Sequence, residues 1–267
     1  MKSTIIYITL WGSIAHAIFL TGCSHHTAIP DNAAGLPAPQ EIKALYVPEG
    51  TRIDGILDDA IWADAPIYQM HVSMDREAAG KHLAQGGQVQ FAWNEEYLFV
   101  GVNFIDSDVV AEGSKNGEQH FRLGDVAEIF LWPEDNTWYW ELYATPAELQ
   151  SAYFYPGPGR LGVPSSFEHI MELEVSAQVD GTLNQWPGKD QSWTAEVAIP
   201  VSALTERSEQ WGPDSNWRVL IGRYNYSAEL PRVEHSALIP LSKTSFHLRE
   251  EYGQLKLLPP GDQAHSK

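Results

Sequence analysis

The 267-residue sequence predicts an all-β fold, a two-sheet antiparallel β-sandwich, and three observations carry that prediction. Between Gln88 and Leu142, four consecutive runs alternate with a period of two and are rich in aromatic and β-branched residues. Polar turns such as Asn94-Glu95-Glu96 separate them. Along the whole chain roughly ten to twelve short runs of this kind recur while helical periods are few, which is the pattern of a sandwich rather than of an α/β domain.

The first residues stand apart from that fold. Lys2 precedes a mostly apolar run, Ile5 to Leu20, and Leu20-Thr21-Gly22-Cys23 follows. That tetrad resembles a bacterial lipoprotein processing site, with small residues before the only Cys of the chain. It implies a signal peptide over 1–22, a lipid-carrying Cys23, and a protein held by that lipid on the bacterial cell envelope, at the outer membrane or cell surface. With its single thiol acylated, the mature chain has no disulfide and must stand on its core alone. Residues 23–40, dominated by Ser, His, Pro, Ala and Gly, read as a tether. The folded domain is expected over 41–260.

Within that domain Ile42 to Val47 reads as a first strand and Asp54-Gly55 as a turn. Leu57 to Trp62 reads as one helical turn capped by Asp58, with Trp62 as a core plug. Asp75 to Gly87 is polar and glycine-bearing, hence a loop. Then come the four patterned strands. Val89, Phe91 and Trp93 share a face, as do Leu98, Val100, Val102 and Phe104; Val126, Glu128, Phe130 and Trp132; and Trp138, Trp140 and Leu142. Ser107 to Gly124 and Pro146 to Pro164 read as long loops, the places where sandwiches often carry function. Further strands are expected over Ile170–Val179, Trp193–Ile199, Trp217–Tyr226, Val233–Ile239 and Gln254–Leu258, with a helical turn at Val201–Leu204 after Pro200.

Composition narrows the function. Seventeen Lys and Arg stand against 35 Asp and Glu, a formal charge of −18. Such a chain has no basic surface for nucleic acid or anionic headgroups and suits a neutral or cationic partner. There is no Gly-x-Ser-x-Gly elbow, no His-Glu-x-x-His and no phosphate-cradling glycine loop, so no enzyme is expected. One residue breaks the strand pattern: Glu128 is a carboxylate in an otherwise apolar run. It must meet a ligand or a partner such as Arg223, because burying it alone is costly.

Four segments together resemble the family 9 carbohydrate-binding modules: Arg52 to Trp62, Tyr97 to Trp132, Trp193 to Pro200 and Phe246 to Leu257. The resemblance runs from about Ile42 to Leu258 and implies a β-sandwich that binds carbohydrate without catalysis. The family is often attached to glycoside hydrolases, which implies a part in polysaccharide catabolism. Glu128 occupies the place of a family carboxylate that hydrogen-bonds sugar hydroxyls. The two Trp that clamp the ring in such sugar binders have no counterpart, since Phe121-Arg122 and Ala237 to Leu241 stand there.

A sugar site needs flat aromatic faces and planar polar groups. Two clusters supply both: Trp138 and Trp140 with Glu128, and Arg223, Tyr224 and Asn225. These six are the candidate binding residues. No cofactor is expected, although Asp106, Asp108, Asp125 and Glu128 are a set of oxygen donors that suits Ca²⁺. Two other functions fit a sandwich of this class. One is a haem-binding redox module, with Met70, Met74, Met171, His120, His169 and His247 as conceivable axial ligands. The other is an envelope scaffold for another protein.

Overall fold

The structure, a computed structural model, describes residues 38–157, 167–168, 171–187 and 189–262. Cys23, the signal segment, His169 and most of the tether lie outside the described residues.

Thirteen strands among the described residues are joined by hydrogen bonds, eleven of them in one continuous path. In chain order they are β1 (Glu41–Tyr46), β2 (Tyr68–Gln69), β3 (Gly87–Trp93), β4 (Tyr97–Ile105), β5 (Val126–Pro133), β6 (Tyr139–Ala144), β7 (Gln150–Tyr155), β8 (Phe167–Glu168), β9 (Glu174–Asp180), β10 (Ser192–Pro200), β11 (Trp217–Asn225), β12 (Glu234–Ala237) and β13 (Gly253–Leu257). Three short helices accompany them: α1 (Ala60–Asp64), α2 (Met74–Ala78) and α3 (Val201–Leu204). The spatial order is β8-β7-β6-β5-β11-β13-β1-β3-β4-β10-β9, with β12 beside β11 and β2 beside β3.

The all-β expectation holds, and the detail of two separate antiparallel sheets does not follow simply. The path continues through β1, whose two pairings are both parallel. Glu41 to Ala44 pair with Gln254 to Leu257 of β13, and Leu45 and Tyr46 then pair with Ala92 and Trp93 of β3. Two further expectations are corrected. Gln150 to Tyr155, read as part of a loop, is strand β7, paired with β6 along its whole length. The polar stretch after Met74 begins with the helix α2.

Alternation determines what each face does. Val89, Phe91, Val100, Val102, Ile129, Leu142, Val197 and Val219, drawn from both halves of the path, all belong to one buried cluster. The outer face of the β3-β4-β10 half is covered by the segment around α1, where Trp62 and Ile61 pack on Ala92, Phe99 and Ala198. Gly101 makes this possible: a Cβ there would lie 2.8 Å from Leu57 and 3.2 Å from the Trp62 ring. Glu196, fully buried on β10, fastens the same segment. It accepts hydrogen bonds from the Trp62 indole at 2.7 Å and from the backbone N–H groups of Asp54 (2.8 Å) and Gly55 (2.9 Å). The outer face of the other half, β7-β6-β5-β11, carries instead the third cluster, Val126, Tyr143 and Tyr153, with Phe121, Tyr155 and Tyr224 packed on it.

Candidate functional site

That outer face is concave and encloses a cavity of about 360 Å³, within the range of small-ligand sites. Register builds its floor. Glu128 of β5 stands opposite Tyr143 of β6 on one side and Gly222 of β11 on the other. Glu141 pairs with Phe130 and with Tyr153 of β7. Tyr155 and Tyr224 complete the floor, and Phe121, from the short turn His120–Arg122, forms one wall. The opposite wall is Thr244 to His247. Gly222 admits it, because any Cβ there would collide with the Phe246 ring at 2.6 Å. Tyr252 donates to the Phe246 carbonyl at 2.5 Å, and Glu251 accepts from the Ser242 N–H at 2.6 Å, so the wall is fixed at both ends.

The chemistry of the floor is unusual for a sheet surface. Glu128 and Glu141 are each only 3% exposed. Tyr143 donates its hydroxyl proton to Glu141 Oε1 and is also the hydrogen-bond neighbour of Glu128. Glu141 Oε2 is buried and has no hydrogen-bond partner among the described residues; His247 Nε2 lies 4.0 Å away, and its Nδ1 is 3.0 Å from the Tyr139 hydroxyl. Burial first, and the neighbouring Glu141 charge second, push the Glu128 carboxyl well above the usual range. Burial likewise raises the Tyr143 and Tyr224 hydroxyls, with the carboxylates adding to the effect. The cavity therefore presents two desolvated carboxyls among aromatic rings, with one oxygen, Glu141 Oε2, lacking a donor among the described residues.

The sequence-predicted residues divide. Glu128 and Tyr224 line the cavity. Trp138 and Trp140 do not: their rings belong to the main core, edge to face at 6.2 Å, and Trp140 is fully buried. Leu142 is a core residue, and Trp140 shares its face. Arg223 and Asn225 are also buried, on the far side of β11 from Glu128. Arg223 bonds Asp106 Oδ2 at 3.0 Å and the carbonyls of Ile105, Gln85 and Gly86. Asn225 donates to the Gln85 side chain at 2.8 Å. Of the two alternatives for Glu128, a ligand or Arg223, the second is not met: Arg223 pairs with Asp106 instead. The residues missed were Tyr143, Tyr153, Tyr155, Phe121 and Phe246. The signal for Tyr143 was present: it shares a strand face with Glu141, opposite Leu142.

The acidic set considered for Ca²⁺ is occupied by the fold. Asp125 accepts from the N–H groups of Val110 and Tyr226, each at 2.7 Å, and Asp108 from that of Ala228 at 2.6 Å. Glu128 faces the cavity instead. Among the described residues no group of three or more His, Cys, Asp or Glu is placed to hold a metal ion. Of the conceivable haem ligands, Met70 and Met171 fill the core, Met74 is exposed, and His120 is buried against Tyr143. His247 stands at the cavity rim.

No family model and no curated protein matches the sequence. Solved structures do match. A Bacteroides uniformis protein to which carbohydrate binding is ascribed superimposes with a TM-score of 0.64 at 14% identity, over 83% of this chain and all of that one. A family 9 carbohydrate-binding module from Caldicellulosiruptor kristjanssonii in complex with glucose gives 0.57 at 12% identity, over 85% of this chain and all of that one. One in complex with cellotriose, from the same organism, gives 0.56 at 12%, over 85% and 98%. The chain has the fold of the family 9 carbohydrate-binding modules.

Proposed function

We propose that the protein is a noncatalytic carbohydrate-binding module whose ligand enters the Glu128–Glu141 cavity. The observation that carries this reading is the buried Glu141 Oε2, without a hydrogen-bond partner among the described residues, on a side chain that lines a cavity walled by aromatic rings. Buried polar atoms are ordinarily satisfied, so an acceptor left open at the floor of a cavity calls for a donor from outside. Sugar hydroxyls supply donors, and the apolar face of a sugar ring suits Tyr224 and Phe246. The similar fold of modules solved with glucose and cellotriose supports the same reading. In place of a Trp clamp, this cavity offers tyrosines and Phe246.

A glycan array on the full chain, followed by titration calorimetry with the sugars it returns, tests the proposal. Glu128→Gln and Tyr224→Ala should each weaken binding, the former by about 1.5–3 kcal/mol, the scale of a hydrogen bond to a charged group. Binding unchanged in both variants would place the ligand elsewhere.

We further infer a lipid anchor at Cys23 and a place at the cell envelope, in support of polysaccharide breakdown by glycoside hydrolases. The support is the Leu20 to Cys23 motif. Cys23→Ala should move the protein out of the membrane fraction or leave its leader uncleaved; unchanged mass and fractionation would refute the anchor.

A further inference from the structure

We propose that the cavity selects a cationic sugar, one bearing a free ammonium group, which sits against Glu128 and Glu141. This rests on the carbohydrate reading above and adds the charge class of the ligand. Three observations lead to it.

The first is the charge on the floor. Two carboxyl groups, each 3% exposed, share one face with a single hydroxyl between them. A neutral diol offers hydrogens to such a pair but no positive charge, and two desolvated carboxylates without a cation are costly. The second is the surroundings. Phe121, Tyr143, Tyr155, Tyr224 and Phe246 all line the cavity. The negative faces of aromatic rings attract an ammonium group, most strongly where water is excluded, and cages of this kind are the usual recognition device for organic cations. The third is the missing counter-charge. Among the described residues the cavity lining contains no Lys or Arg, and His247, half exposed at the rim, is its one basic side chain. Arg122 stacks outside, 5.2 Å from the Phe121 ring centre, and does not line the cavity. On the inner side of the sheet, Arg223 is committed to Asp106. Burial already drives Glu128 toward its protonated form; a bound ammonium would let it ionise.

A metal ion is a poorer occupant, since among the described residues no three ligating side chains converge. A sugar with an unacetylated amine provides the charge, hydroxyls for Glu141 Oε2 and a ring face for the aromatic walls.

The test is titration calorimetry at mildly acidic pH on the full chain, in a sugar-free detergent, with glucosamine, N-acetylglucosamine, glucose and ethanolamine. Glucosamine should bind roughly 10- to 30-fold more tightly than glucose or N-acetylglucosamine, the scale of a desolvated cation–π contact. Glu141→Gln should bring that ratio close to one. The sugar comparison uses the unaltered chain, so it stands even if the variant fails to fold. Equal affinity for all three sugars would overturn the cationic preference and leave the carbohydrate reading standing. Ethanolamine binding as tightly as glucosamine would overturn the sugar part of both. No binding by any probe would overturn the two together.

Discussion

Glu128 and Arg223 lie on adjacent strands yet face opposite sides of the sheet. Gly222 is the residue across from Glu128, and Arg223 is across from Ala127 in the core. Their electrostatic roles are therefore separate and can be measured apart. Arg223 and Asp106 form a buried pair in which burial, chiefly, raises the Asp106 carboxyl to about 6 despite the opposing guanidinium. Asp106→Ala leaves the guanidinium without its counter-charge and should cost about 3–5 kcal/mol in a urea melt. Glu128→Gln should behave differently. A carboxyl whose folded pKa is raised binds more protons folded than unfolded, so its contribution is favourable below the ordinary Glu range and is lost as pH rises. The unliganded wild type should thus lose stability between about pH 4 and neutrality relative to Glu128→Gln, the two converging in acid. Melts at pH 5 and pH 8 decide this; a variant less stable at pH 8 would mean that the ionised Glu128 has a partner in the fold.

The two halves of the strand path treat their outer faces in opposite ways. On β3-β4-β10 the face is sealed by α1, with Trp62 in the contact and Glu196 as the fastening. Glu196→Ala leaves three donors without an acceptor and should cost about 3 kcal/mol, with Trp62 fluorescence shifting to the red as its cover loosens. Intact stability would show that the apolar contacts alone hold the segment. On β5-β6-β11 the face stays open and becomes the cavity. How far this was legible in the sequence varies by element. Period two located β3, β4, β5 and β10 because one face of each is purely core, and β11 because Trp217, Val219 and Ile221 share one. It missed β7, where Gln150, Ser151 and three aromatic residues in a row hide the alternation of Ala152 and Phe154 inward against Tyr153 and Tyr155 outward. Glu128 stood out as a charge in an apolar strand. Trp138 and Trp140 misled because tryptophan suits a sugar platform and a core equally well, and only the register of Leu142 separates the two. The wall at Phe246 depends on Gly222, distant in sequence but directly against its ring, which no local pattern reveals.

At the scale of the whole molecule the fold is that of the family 9 modules, and the proposed ligand cavity has no Trp in its lining among the described residues. The aromatic walls come from Phe121 and Phe246, on connections, and from tyrosines on the strands. Such a division lets the strand path stay constant while the connections set specificity. A formal charge of −18 goes with a cavity lined, among the described residues, by no Lys or Arg, so the long-range field and the proposed site favour the same sign of ligand.

The position of β1 has a consequence in time as well as in space. Its first half can be satisfied only by β13, near the opposite end of the domain, while its second half pairs with β3 close by. A chain emerging from its N-terminus can lay β1 beside β3 early, but the edge facing β13 must wait for nearly the whole domain to be made. Parallel pairing between distant segments is slow, and an unpaired edge in the interval is a template for joining with another copy. The last strand to appear thus closes the first, and a chain cut short before Gly253 would lose the core residues Leu255 and Leu257 and leave β1 open along the edge that β13 would cover.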